Sequence, residues 1–140
     1  MLRTEALEKK IDEFIKLLEQ EEKLKGWICE IVHDKDDHIF RNKGIVLFLE
    51  SETEDEEKGR LLDIEIIVTQ LKSKNKFDFR RKIELIENIF DEITDIPHFR
   101  IEKKALNYSE YEAKTKIYID TASIQITLDI SSITECFYEY

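Results

Sequence analysis

The residues best equipped for chemistry sit in one short run, His33-Asp34-Lys35-Asp36-Asp37-His38, which offers two imidazoles and three carboxylates to a divalent metal. The spacing argues against it. A calcium loop of the EF-hand type needs glycine at its sixth position and an acid at its twelfth, and counted from Asp34 those places hold Ile39 and Ile45. His33 and His38 match no common zinc spacing, so the run reads as a solvated turn and no metal is expected. A cysteine nucleophile would need Cys29 or Cys136 beside His33, His38 or His98, an arrangement that chain order alone leaves open. Both cysteines lie in apolar company, and they read as reduced core thiols, with a disulfide as the alternative. A nucleophile elbow or a phosphate-cradling loop needs clustered glycines, whereas Gly26, Gly44 and Gly59 are isolated. With 32 acids in the chain, a close pair of carboxylates carries no information. Asp63 and Glu65 are embedded in a strand-like run and are expected to mark its wetter face. The expected protein is not an enzyme and carries no cofactor.

The charge pattern is more telling than any single residue. Glu50, Glu52, Glu54, Asp55, Glu56 and Glu57 form an acidic block, and Lys72, Lys74, Lys76, Arg80, Arg81 and Lys82 form a basic one. Opposite potentials on neighbouring connectors steer complementary surfaces together, so both blocks are candidate partner or subunit interfaces. The acidic block could equally be a repelling hairpin tip that keeps the protein dispersed. The basic block breaks a helix rule: if a helix starts near Asp78, then Arg80, Arg81 and Lys82 occupy its first turn, where the helix dipole disfavours cations by up to ~1 kcal/mol each. An anion, an acidic partner or plain solvent screening could offset that.

These blocks need elements to hold them. At 140 residues the chain is one domain, able to bury about two thirds of its unfolded surface. Its 39% charged residues imply a densely charged surface, and a net charge of −10 opposes non-specific attachment to nucleic acid or anionic membrane. No signal-peptide pattern opens the chain, and no apolar run approaches the ~18 residues of a membrane span, so a cytoplasmic location is expected.

Leu7, Ile11, Phe14, Ile15 and Leu18 predict a helix over about Thr4 to Leu24, with Thr4 as its N-cap and Gly26 as its stop. Trp27–Val32 and Ile45–Glu50 read as strands joined by a hairpin-like loop, His33 to Lys43. Leu61–Leu71 is a third strand, with Leu62, Ile64, Ile66 and Val68 on its core face. Phe79, Ile83, Ile86, Phe90 and Ile93 predict a second helix ending before Pro97. Strands follow over about Phe99–Leu106 and Lys114–Ile130, the last with an apolar parity that changes between Ile117/Ile119 and Ile124/Ile126/Leu128/Ile130, which suggests a bulge or bend near Thr121 to Ser123. An aromatic tail, Ile133 to Tyr140, closes the chain. The predicted class is α+β: a mixed or antiparallel sheet of about five strands with two helices on one face, in the order α-β-β-β-α-β-β.

That order, the size, the acidic balance and the extended hairpin from Glu50 to Leu61 resemble the tail terminator or tail-completion proteins of long-tailed bacteriophages. The likeness spans the N-terminal helix, the runs Ile45–Leu49 and Leu62–Val68, the helix Phe79–Ile93, Pro97 and the final strands. It implies a non-enzymatic homo-oligomer, a ring that is typically hexameric. Such a ring terminates the tail tube, contacts the tube and the head–tail connector proteins, and is assembled in the cytoplasm into a virion or tail-like particle, without reading nucleic-acid sequence. Where that family often has a proline-rich segment, this chain has Asn42-Lys43-Gly44. Two other classes share features with it: the acidic dimeric chaperones of type III secretion, which usually end in a further helix, and small acidic immunity proteins that neutralise basic toxins.

Overall fold

The computed structural model describes residues 2–32, 42–94, 99–112 and 118–131. Helix α1 (Arg3–Gln20) and a short 3-10 turn (Glu22–Leu24) precede β1 (Ile28–Val32), β2 (Gly44–Asp55) and β3 (Gly59–Leu71). Helix α2 (Lys76–Thr94), β4 (Arg100–Glu112) and β5 (Tyr118–Asp129) complete the described chain. The five strands form one mixed sheet in the order β1-β2-β3-β5-β4. The α+β class, the element order and the two helices agree with the sequence reading.

Alternation along β3 decides how the sheet is used. Leu62, Ile64, Ile66 and Val68 are buried, and their cross-strand partners, Ile45 and Leu47 on β2 and Ala122, Ile124, Ile126 and Leu128 on β5, belong to the same core. Onto this face α1 lays Ala6, Leu7, Ile11, Phe14 and Leu18, and α2 lays Phe79, Ile83, Ile86, Ile89, Phe90 and Ile93. Phe14 meets Phe90 edge-on at 5.1 Å between ring centres, while Lys82 Nζ donates to the carbonyl of Lys23 at 2.6 Å. Rising residue numbers in α1 therefore meet falling ones in α2, and the helices run antiparallel.

Several expectations are corrected. Thr4 is inside α1 rather than capping it; the backbone N–H of Leu2 is held by Glu5 Oε2 at 3.1 Å. The helix also stops earlier, because Glu21 turns extended and the chain tightens into the 3-10 turn before Gly26 (φ +87°). More consequentially, β1 and β2 pair in parallel, Ile28 opposite Gly44 and Val32 opposite Phe48, so the two strands form no hairpin; residues 33–41 of the expected loop lie outside the described residues. No bulge interrupts β5 at Thr121 to Ser123: Ile119 simply sits on the face away from the helices, opposite Leu71, while the register runs on unbroken. The irregularities fall instead at Leu49/Ser51 in β2 and Ile101/Lys103 in β4. Strand β4 runs on to Glu112, beyond the expected end at Leu106.

The face away from the helices is not uniformly wet. Asp63 accepts from Ser51 Oγ at 3.0 Å and Thr127 Oγ1 at 2.7 Å, tying β2, β3 and β5 together. Glu65, expected to be solvated, is buried between Phe48 and Gln125, and Val46, Phe48 and Thr69 are buried on that face as well.

Because Phe14 is fully enclosed where α1, α2 and the sheet meet, Phe14→Ala should lower the unfolding free energy by about 3–5 kcal/mol. Urea denaturation monitored by the single tryptophan, Trp27, checks it; a loss under 1 kcal/mol would mean that α1 is not part of the core.

Candidate functional site

The acidic block is built into a hairpin. Glu52, Glu54 and Asp55 belong to β2, while Glu56 and Glu57 form the turn that leads to β3. Asp55 Oδ1 accepts from the backbone N–H of Glu57 at 2.8 Å and of Lys58 at 3.0 Å, and Gly59 supplies the positive φ of +85° that closes the turn. A side chain at Gly59 would strike Ser131 Oγ. That hydroxyl accepts from the backbone N–H of Arg60 at 2.8 Å and donates to Asp129 Oδ1 at 2.6 Å, so the end of β5 braces the hairpin. The tip is thus a defined turn.

Part of its charge is already matched. Register places Glu54 opposite Arg60, whose guanidinium lies 2.7 Å from Glu52 and 3.7 Å from Glu54. The hydrogen bond that Arg60 donates to the Glu52 carboxylate raises the Arg60 pKa, against a smaller desolvation effect. Lys58 lies 3.8 Å from Glu102. At the turn itself Glu56 and Glu57 stand exposed.

The basic block lies at the other end of β3. Helix α2 starts at Lys76, two residues earlier than expected, so Arg80 and Arg81 fall in its second turn, where the dipole conflict has largely faded. Asp78 provides an acid in the first turn. The cations are also engaged within the fold. Arg80 stacks on the Tyr108 ring at 4.4 Å, Arg81 pairs with Asp78 at 2.6 Å, and Lys72 lies over Tyr118 at 5.2 Å. Lys74 and Lys76 are exposed at the approach to the helix. The two blocks are not brought together: β3 has 13 residues, which at ~3.3 Å each sets them about 40 Å apart.

The sequence reading missed what surrounds the basic block. A cleft of about 690 Å³ opens between the 3-10 turn, the Asn42–Lys43 turn, the end of β3 and α2, and it adds Lys23 and Lys43 to Arg81 and Lys82. Lys43 holds a positive φ of 58°, and its carbonyl accepts from the Ile28 N–H at 2.9 Å. Four of the seven exposed large hydrophobics of the described residues, Ile28, Leu71, Phe77 and Tyr118, also sit at this end, which makes it mixed apolar and cationic. One signal was legible: Phe77 lies off the apolar stripe of α2 and so had to face solvent.

The described residues bear on metal binding and on one of the two cysteines. They hold no group of three or more His, Cys, Asp or Glu that could bind a metal; the run 33–38, His98 and Cys136 lie outside them. Burial pushes the Cys29 thiol up to about 12, helped by the charges of Glu19 and Glu30. Among the described residues, no helix is long and apolar enough to cross a membrane. No protein-family model matches the chain, and no curated protein matches it.

Two titrations follow from this geometry. Cys29, measured in a Cys136→Ser background, should react with iodoacetamide at pH 8 roughly 10³-fold more slowly than an unperturbed thiol, because a pKa near 12 leaves so little thiolate. Labelling at the free-thiol rate would refute the raised pKa of this partly buried thiol. Asp55 has its pKa lowered below 3.8 by the backbone N–H of Lys58 first and Glu57 second. A depressed folded pKa gives order that is present above 3.8 and lost as pH falls through the folded value. The Glu57 and Lys58 amide resonances should therefore stay put down to about pH 4 and shift only on further acidification; amides insensitive to acid would remove Asp55 from the turn.

Proposed function

We propose that the protein is a non-enzymatic structural component that assembles head to tail with copies of itself, as in a ring that terminates a phage or prophage-like tail tube and joins it to the head. The observation that carries this reading is the placement of an acidic hairpin and a basic, partly apolar face at opposite ends of β3, about 40 Å apart. No copy can satisfy its own poles across that distance. A second copy can, and repetition of one heterologous contact gives a ring if the rotation closes. The tip residues are Glu52, Glu54, Asp55, Glu56 and Glu57, and the receiving end carries Lys72, Lys74, Lys76, Arg80 and Arg81. The resemblance to tail terminator proteins supplies the tail, its tube and the head–tail connector as the setting, and the overall negative charge fits a protein that does not hold DNA directly.

Sedimentation velocity over a range of concentrations tests it. The wild type should form a closed oligomer larger than a dimer. The tip variant Glu54→Lys/Glu56→Lys/Glu57→Lys, which spares Asp55, should raise the concentration for half-assembly at least about tenfold, and so should Lys74→Glu/Lys76→Glu/Arg81→Glu. Mixing the two variants should restore assembly, because a basic tip then meets an acidic face and the untouched tip meets an untouched face. A monomer at every concentration, or a dimer indifferent to both variants, would sink the proposal and favour a chaperone or immunity-type binding protein.

A further inference from the structure

We infer that the seat for the incoming hairpin is the 690 Å³ cleft between the 3-10 turn, the Asn42–Lys43 turn and α2, and that Lys23 and Lys43, rather than Arg80 and Lys72, recognise its acids. This inference rests on the head-to-tail reading and sharpens it to a place and a set of residues. The cations of the basic end divide by direction. Arg80 stacks on Tyr108 beside a separate, smaller hollow of about 240 Å³, and Lys72 lies over Tyr118, so both are spent on aromatic rings of the same chain. Arg81 and Lys82 face the cleft.

Inside the cleft the charge favours an anion. The two acids on its wall are Asp78 and Glu84, and Asp78 is already bridged by Arg81. Lys82 is anchored on the carbonyl of Lys23, which ties α2 to the 3-10 turn and fixes that wall. Lys23 and Lys43 are exposed, on the two walls that face α2, with the half-exposed Leu71 beside them. The occupant is the hairpin turn of a second copy. Its acids Glu56 and Glu57 project from a turn held by Asp55 and Ser131, so little order has to be gained when it docks. The turn of the same chain lies at the far end of β3 and cannot reach.

The test uses Lys23→Glu/Lys43→Glu, two exposed positions outside the sequence-level basic block, compared with Arg80→Ala/Lys72→Ala. The cleft pair should raise the concentration for half-assembly at least about tenfold, and the aromatic-stacked pair less than about threefold. Thermal unfolding of each variant separates docking from folding. As a second measure, Glu56→Cys and Lys43→Cys copies in a Cys136→Ser background should form a disulfide-linked dimer only when mixed. If the cleft pair leaves assembly intact while Lys74→Glu/Lys76→Glu, two positions outside the cleft, abolishes it, the seat is elsewhere and head-to-tail assembly stands. If neither variant changes assembly, both fall.

Discussion

Everything in this fold hangs on β3. It is paired along nearly its whole length by β2 on one side and β5 on the other, and its even-numbered residues form the floor on which both helices rest. A slip of one residue would turn Leu62, Ile64, Ile66 and Val68 to the opposite face and leave the helices packing on Asp63, Glu65 and Thr69, so the register is strongly specified. The same strand fixes the separation of the charged ends. Its first residue closes the acidic turn and its last opens the route to the basic helix, so the distance between poles is set by a rigid, doubly paired element.

How much of this the sequence disclosed depended on whether a period was available. The stripe Phe79, Ile83, Ile86, Phe90 and Ile93 repeats over four turns, and every member is buried as expected. The alternation in β3 was equally legible. Pairing partners were not, because β1 is a short edge strand whose residues carry no mark of direction, and a connector of moderate length suits a hairpin or a short crossover alike. The supposed bulge in β5 came from reading Ile119 as a core residue, when it pairs with Leu71 on the other face and Asp120 takes the helix side, accepting from the Ser73 N–H at 3.3 Å. A parity change in apolar residues can mean a change of neighbours as readily as a change of backbone.

The candidate site shows the same division. Both charge blocks were visible as runs, yet their internal pairing depends on residues outside them: Arg60 beyond the turn, Tyr108 on β4, Tyr118 on β5 and the carbonyl of Lys23. Lys23 and Lys43 are isolated in the chain and reach the cleft only because the parallel β1–β2 pair brings the Asn42–Lys43 turn beside the 3-10 turn. The missed topology and the missed lysines are thus one omission. Likewise, the helix-dipole conflict expected for Arg80, Arg81 and Lys82 dissolves once α2 begins at Lys76.

That reverses the weight of the two blocks. Lys72, Arg80, Arg81 and Lys82 have partners within the fold, whereas Glu56 and Glu57 stand exposed on a braced turn, so the tip acids have the greater unmet interaction. Exposed charges of this kind direct encounter and set orientation while contributing little affinity, since each pair is worth about 0–1 kcal/mol and is screened by salt. Affinity in the proposed contact would come from elsewhere, and among the described residues the large exposed apolar side chains at the cleft end of the sheet are Leu71, Phe77, Tyr118 and Ile28. Removing Phe77, 67% exposed, costs the core nothing, so its cost would fall on association alone. In the proposed head-to-tail contact the division is physically coherent: charge would choose which end meets which, and apolar surface at the receiving end would hold them together.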